Sequence, residues 1–377
     1  MPAVEIRELS RGGELKDFLG VVDHIYRDDP KYIRPLDFDI KSRITRQSPF
    51  FEHAEAAFFL AYQNGRCVGR CSAQIDHEHL RRHKDEAGFF GFFDTIDDAE
   101  VAKALLDSAR RWLADRGMKL IRGPFSLNIN DETGCLVEGF DTPPVVMMPH
   151  HRSYQGGLIE RAGLAKHKDL FAWRYQTGDV PPRVQRAHDE LEAMPEVYSR
   201  PVDLKEVTRD TRLVVDVFND AWGDNWSFVP YTENELTKLA KDLKMIIDPS
   251  ITRIAYVRGE PAAVAVAIPN LNEAIGDLGG RLFPLGAAKL LYRVKVKGIH
   301  SARLALLGIR KKFRAERKYA GLSLYLYCKL NASGRRNGYN WGELSWTAED
   351  NGPVNAGIKV MGGKVYKKYR VYEAPLS

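Results

Sequence analysis

Two hairpins, one in each half of the chain, constrain the fold more than any other feature of the sequence. Residues 57–75, AFFLAYQNGRCVGRCSAQI, set two apolar runs on either side of Asn64-Gly65, and residues 252–268, TRIAYVRGEPAAVAVAI, do the same around Arg258-Gly259. Asn-Gly accepts positive φ at both central positions, which joins antiparallel strands through a two-residue turn. The same succession follows in both halves. The first continues with a strand GFFGFF (88–93), a helix bearing Val101, Leu105, Ala109 and Leu113 on one face, and a strand LIRGPF (120–125). The second continues with LALLGI (304–309), a helix from about Ala320 to Arg336 that stops at Gly338, and NWGELSW (340–346). Each half closes with a helical pattern ending in glycine, Arg152 to Gly163 and Asn351 to Gly362, then a strand: DLFAWRYQ (169–176) and KVYKKYRVYE (364–373). The order of elements repeats, and the residues do not. The expectation is an α/β chain with mixed sheets in two tandem domains, 1–176 and 201–377. Residues 177–200, with Pro181, Pro182 and Pro195, would be the connector, with AHDELEAM as a helix inside it.

With 377 residues and 44% hydrophobic content the chain can bury two ordinary cores. No stretch reaches the roughly 20 apolar residues that span a bilayer, and the opening MPAVEIRELSRGGELKDF has no apolar signal region. Four cysteines, Cys67, Cys71, Cys135 and Cys328, are not a disulfide framework in so long a chain. A cytoplasmic protein is expected. The net charge of +6 is concentrated: between Lys289 and Lys318 eleven Lys and Arg residues face a single acid, Glu316. Such a block reads as a solvated face, or as a surface for an anionic ligand or membrane. No nucleic-acid-binding motif accompanies it, so no nucleic-acid partner is expected. No metal is expected either: His77, His79 and His83 read as exposed histidines of a polar loop, and His150 and His151, which precede a helix, as capping or exposed residues, with a substrate contact as the other reading.

A hairpin followed by strand, helix, strand, helix and strand resembles the core of the GNAT acyltransferase superfamily, clearly over about 200–373 and more weakly over 1–176. The tandem arrangement also resembles the peptidoglycan aminoacyltransferases. GNAT proteins rest the coenzyme A pyrophosphate on backbone N–H groups at a helix N-terminus, in a loop of pattern [RQ]-x-x-G-x-[GA]. The second half has Lys318-Tyr319-Ala320-Gly321-Leu322-Ser323 there, with lysine and serine in place of the usual end residues. The resemblance implies that acyl-CoA binds through Lys318, Ala320, Gly321, Leu322 and Ser323, with Arg314 and Arg317 adding charge. The matching place in the first half reads DTIDDAE; Asp94, Asp97 and Asp98 cap a helix and repel phosphate, so the first domain is expected to be degenerate. Asn351 matches the asparagine that begins the family's last helix, another cofactor contact, but the tyrosine expected seven residues on is Ile358.

Acyl transfer to an amine needs a base and a polarised carbonyl. Strand alternation in GELSWTAEDN puts Glu343 and Ser345 on one face, and Glu349 and Asp350 in the following loop. Glu343 is the first candidate base and Glu349 the second. The acidic pair 349–350 reads equally as favourable charge at a helix start. Asn128, Asn130, Asp131 and Glu132 form a dense polar loop that turn chemistry explains, with a pocket contact as the other reading.

Five phrases, DDPKYIRPLDFDI, GRCVGRCSAQIDHEH, GFFGFFDTIDD, LIRGPFSLNINDETGCLVEGFDTPP and ELSWTAEDNGPVNAGIKVMGGKVYKKYRVYE, are together similar to a family of two-part GNAT-like bacterial proteins. That family includes the bacterial ceramide synthases, which join a fatty acyl-CoA to a sphingoid base. The resemblance implies acyl-CoA and a long-chain amino base as partners. The insertion 276–302 mixes Leu282, Phe283, Leu285, Leu290, Leu291 and Tyr292 with cations, which suits peripheral contact with the inner membrane or, equally, a core helix with a basic outer face. A small-amine acetyltransferase, a peptidoglycan-type aminoacyltransferase and a non-catalytic binding module are the alternatives.

Overall fold

The computed structural model describes residues 3–9, 15–45 and 48–376. They form two compact units whose membership departs from chain order. The first holds the chain through Leu170, residues 275–289 and everything from Lys367 onward. The second holds Phe171–Ala274 and Leu290–Tyr366. The boundary therefore falls inside two strands and two short helices, Asn272–Ile275 and Gly286–Tyr292. Residues 177–200 are not a bare linker: they contain a helix, Pro182–Glu192, and a strand of the second unit's sheet.

The first unit is built on strands β1 (Glu5–Glu8), β2 (Ala54–Gln63), β3 (Arg66–Asp76), β4 (Ala87–Thr95), β5 (Leu120–Gly123) and β6 (Cys135–Glu138). The β2–β3 turn has Asn64 at φ 50° and Gly65 at φ 76°, the pair of positive angles that an Asn-Gly turn supplies. The sheet runs β1-β2-β3-β4-β5 and is completed by the last strand of the chain, Lys364–Pro375, which pairs antiparallel with β5 from Tyr372↔Gly123 to Pro375↔Leu120. The helix Ala99–Ala114 lays Val101, Leu105, Ala109 and Leu113, all fully buried, on Phe90, Phe93, Ile121 and Tyr372. Of the three aspartates expected to cap this helix, Asp98 does, accepting from the Glu100 and Val101 N–H groups. Asp94 instead is buried in an ion pair with Arg70 at 2.8 Å and receives the Tyr26 hydroxyl.

Strands β4 and β5 are parallel neighbours over three positions, Ala87↔Leu120 to Phe89↔Arg122. Past that point the segment 124–134, which continues from β5, lies against β4 and β3. The Phe125 N–H donates to the Phe90 carbonyl at 2.7 Å, and Gln74 Nε2 donates to the carbonyls of Phe125 (2.7 Å) and Leu127 (3.1 Å). Gly91 makes this approach possible, since a Cβ there would lie 1.7 Å from the Phe125 oxygen. Gly91→Ala should therefore destabilise the protein by about 3 kcal/mol or more, because backbone rather than a flexible side chain would have to move. Urea unfolding measures this, and a loss below about 0.5 kcal/mol would mean that the segment is not seated as described.

The second unit takes the end of β7 (Ala165–Gln176), then β8 (Val197–Pro201), β9 (Thr252–Val257), β10 (Glu260–Pro269), β11 (Ser301–Ile309) and β12 (Trp341–Ala348); the chain ends in β13 (Lys364–Pro375). The order in this sheet is β7-β12-β11-β10-β9-β8. Arg258 (φ 53°) and Gly259 (φ 79°) form the β9–β10 turn in the same conformation as the first hairpin. Gly321 caps the helix Leu322–Arg336, and Gly338 ends it with φ 81°. A second helix, Gly352–Val360, follows β12 and ends at Gly362, φ 93°. Trp173, near the end of β7, is sealed beneath these elements with Leu344, Ile358 and Met361, its Nε1 donating to Thr347 Oγ1 at 2.8 Å.

Candidate active site

In the second unit the parallel strands β11 and β12 are in register only from Ser301↔Trp341 to Leu304↔Leu344. The rest of β11 stays with β10, from Val266↔Leu306 to Ala263↔Ile309, and Ala305 is skipped where the register shifts. A bulge at that point turns β11 away from β12. The two strands thus part just beyond the buried pair Arg303 and Glu343, which stand opposite each other in the ladder.

Glu343 is fully buried. Its Oε1 accepts from the Ser345 hydroxyl and its Oε2 from the Tyr366 hydroxyl. Arg303 reinforces Ser345, donating from Nε to Oγ at 3.0 Å and from a terminal nitrogen to the carbonyl at 3.3 Å. A buried carboxylate needs such donors, because an unpaired charge away from water is strongly unfavourable. Glu343 is also among the residues lining a pocket walled mainly by carbon, including Ile251, Ala267, Leu330, Tyr339, Leu344 and Met361. The Tyr339 hydroxyl is engaged by Asp248 at 2.8 Å and the Tyr175 hydroxyl by Asn331 at 2.9 Å, so these ring hydroxyls at the pocket wall are satisfied. The site thus combines a hydrogen-bonded carboxylate with an apolar chamber.

Glu349 is placed differently. It is exposed in the loop after β12, beyond Ala348. Five residues of extended strand, about 16 Å, separate Ala348 from Glu343, so the two acids do not face one amine. Asn351 precedes the last helix without bonding to it through its side chain; the loop is instead held by Asn355, whose Nδ2 donates to the Ala348 carbonyl at 3.0 Å. Ile358 is in the core, 1% exposed, and neither its chemistry nor its position suits a proton donor.

The expected phosphate loop lies between β11 and the helix Leu322–Arg336. Arg314, Arg317, Lys318 and Ala320 are exposed, Gly321 and Ser323 partly so. Leu322 is fully buried in the apolar cluster with Tyr319 and Tyr325, so only its backbone can meet a ligand. Gly321 packs beside Leu191, whose Cδ1 would be 3.2 Å from an added Cβ. The helix's first bond runs from the Tyr325 N–H to the Gly321 carbonyl at 2.9 Å, and the N–H groups ahead of it are the ones a helix start leaves for an anion. The basic block is partly neutralised: Arg310 pairs with Asp216, Lys311 with Asp224, Lys312 with Glu260, and Lys318 approaches Glu196 at 3.4 Å.

Sequence reasoning missed Tyr366 and the role of Arg303. Tyr366 reaches Glu343 from a strand 23 residues away, a pairing that no local pattern signals. Two readings of histidines are corrected. His79 is not exposed but 1% accessible in a short helix, His77–His83, with Nε2 3.1 Å from Asp85. His150 and His151 are buried too; His150 Nε2 is 2.9 Å from Asp29, and His151 Nδ1 accepts the Leu136 N–H at 3.1 Å. Burial pushes the His151 imidazole down to about 4, which keeps it the neutral acceptor this bond requires.

No protein-family model matches the chain. Relatives and solved structures do. The chain is 42% identical over 369 residues to a bacterial ceramide synthase of Caulobacter vibrioides, covering 96% of this chain and 95% of the relative. It is 37% identical to Protein YghO of Escherichia coli K12, covering 98% and 94%. Among solved structures, a tandem GNAT protein from the clavulanic acid biosynthesis pathway superposes with a TM-score of 0.55 at 12% identity, covering 100% of this chain and 99% of the other. A GCN5-related N-acetyltransferase from Sphaerobacter thermophilus gives 0.55 at 10% identity, covering 99% and 96%. These structures share the fold; the first relative carries the family. The chain is an N-acyltransferase of tandem GNAT fold and belongs to the bacterial ceramide synthase family.

Proposed function

We propose that this chain transfers a long fatty acyl group from acyl-CoA to the amine of a long-chain amino base, and that the second unit carries the reaction. The observation behind the reading is Glu343, wholly buried, accepting from two hydroxyls and lining a carbon-walled pocket along the stretch of β11 and β12 just before they part. Acyl-CoA, when bound, supplies the acyl carbon as a thioester. A free aliphatic amine has a pKa of about 10 and is mostly protonated near neutral pH. Glu343 takes the proton that the nitrogen must lose as the C–N bond forms and the C–S bond breaks. Tyr366, partly exposed and bonded to Glu343, gives that proton a way out and substitutes for the absent tyrosine at 358. The N–H groups at the start of the helix Leu322–Arg336 would hold the donor's pyrophosphate, with Arg314, Arg317 and Lys318 adding positive charge. The first unit supports the same reading, since its own segment 124–134 lies against β4 and β3 just past the β4–β5 pairing, where a second donor would enter.

The long-chain substrates are supported by the named relative and by the pocket's apolar wall. Incubating the protein with several acyl-CoAs and amines and weighing the products by mass spectrometry tests the reading. An N-acyl long-chain base is expected, and acetylated small amines as the only products would replace it with the acetyltransferase alternative.

Peripheral membrane contact belongs to the same proposal. No helix is long and apolar enough to cross a membrane among the described residues. In the insertion, however, Phe283 is 84% and Leu285 68% exposed, and Leu291, Tyr292 and Val296 are each at least 60% exposed. Lys289, Lys295 and Lys297 stand among them in the sequence. Apolar side chains interleaved with cations suit an anionic bilayer surface. The double variant Phe283→Ser, Leu285→Ser should lower the fraction co-sedimenting with phosphatidylglycerol vesicles several-fold, and salt should lower it for the unmodified protein. Equal sedimentation of both proteins would remove this part of the proposal.

A further inference from the structure

The helix Leu322–Arg336 carries a second group of cations far along its length. Cys328, Lys329, Ala332 and Arg336 recur at helical spacing and face a cavity of about 290 Å³, walled on its other sides by Gln185 and His188 of the helix Pro182–Glu192 and by Arg253 of β9. Two of these groups have carboxylate partners. Lys329 Nζ lies 2.5 Å from Glu192, and His188 Nδ1 lies 3.0 Å from Asp189, its ring stacked on Tyr325 with centroids 5.3 Å apart. The two guanidiniums have none among the described residues. Arg253 donates from a terminal nitrogen to Ser333 Oγ at 3.0 Å, and its Nε is buried with no partner. Burial, and to a lesser degree the neighbouring Arg336 charge, hold Arg253 below the ordinary guanidinium range. An orphaned N–H on a half-buried cation beside a like charge is unfavourable unless an anion completes it.

We propose that this cavity binds a phosphate monoester, its dianion bridging Arg253 and Arg336. Near neutral pH such a group carries close to two negative charges, which matches the two guanidiniums that lack an ion-pair partner, Glu192 acting on Arg253 only at longer range, whereas a carboxylate would leave one unmatched. The planar fork of N–H donors on each arginine suits phosphate oxygens. The cavity is larger than a phosphate alone needs, so the esterified body of the ligand has room beside Gln185, His188 and Cys328. The site is separate from the pyrophosphate position proposed above. Arg336 is 14 residues past Leu322 on the same helix, about 21 Å at 1.5 Å per residue. The ester is either a free small molecule or a lipid headgroup, and soluble probes separate these sources.

The test is calorimetric titration of the full chain with inorganic phosphate, glycerol 3-phosphate and dihexanoyl phosphatidic acid in a chloride buffer. Saturable binding is expected, weakened at least tenfold by Arg253→Gln and by Arg336→Gln and unchanged by Arg335→Gln, whose side chain is turned to Asp179 at 2.7 Å. Tighter binding of the phosphatidic acid than of glycerol 3-phosphate identifies a lipid headgroup; equal binding identifies a free ester. Arg336 is exposed, so its variant stays informative even if Arg253→Gln fails to fold. No saturable phosphate binding, or undiminished binding by Arg336→Gln, overturns the proposal. Neither outcome touches the acyl-transfer reading, which rests on other residues.

Discussion

Glu343→Gln is expected to lower kcat by about two to four orders of magnitude, the usual contribution of a positioned acid or base, while the protein stays folded. Glutamine keeps the shape of the side chain but cannot accept a proton from the amine. It also replaces one carboxylate oxygen with a donor, which then meets a hydroxyl that was donating to it, either Ser345 or Tyr366. Reorienting those hydroxyls costs about 1–3 kcal/mol at most, so a modest drop in Tm should accompany the large drop in rate. Tyr366→Phe separates structure from chemistry. It removes one donor to Glu343 without removing the base, and should lower kcat less than Glu343→Gln does. If Glu343→Gln turns over at the unmodified rate, the carboxylate is structural and the base lies elsewhere. The exposed Glu349 would then be tested in its turn by Glu349→Ala.

The second large effect concerns the acyl chain. Each methylene moved from water into an apolar chamber contributes about 0.8 kcal/mol, close to fourfold in kcat/KM. Only four methylenes held along a wall such as that of Leu330, Leu344 and Met361 would favour a long chain by about 200-fold on that scale. Palmitoyl-CoA with a sphingoid base should accordingly exceed acetyl-CoA with the same base by at least that ratio in initial-rate measurements. Below the critical micelle concentration the comparison reports the pocket rather than the aggregate. Equal kcat/KM for the two donors would mean that the chamber next to Glu343 does not take the chain.

The hairpins were legible because their signal is local. Asn64-Gly65 accepts positive φ at both positions and Gly259 at one, and the structure has those angles, with Arg258 taking φ 53° in the same turn. The helix faces were legible for the same reason: Val101, Leu105, Ala109 and Leu113 follow one period and are all buried. Glu343 was visible as an acid inside a strand, which is hard to place without a purpose. Its partner Tyr366 was not, because the contact depends on where β13 lies rather than on any motif near it. The close backbone approach in the first unit has a local trace: Gly91 interrupts an aromatic strand, as glycine does where another backbone comes close. What Gly91 approaches, the Phe125 carbonyl, is 34 residues away, and only the fold identifies it. His79 was misread because a histidine-rich, charged phrase resembles a surface loop; Asp85, six residues on, is what allows the ring to be buried.

The membership of β7 and β13 has a consequence for how the protein is made. The first unit needs residues from Lys367 onward to close its sheet. A ribosome therefore adds roughly 200 further residues after Leu170 before those residues exist, about 10–40 seconds at ordinary elongation rates. During that interval β5 presents an unpaired edge, a surface that invites pairing with another chain. Cutting the gene near residue 177 would make that interval permanent for the first fragment, and would send the second out with strand residues that belong to the first unit and without the stretch of β7 that carries Trp173. The two halves of this enzyme are accordingly one heritable unit: a stop codon anywhere from residue 171 to 367 removes sheet residues of the half that was synthesised first.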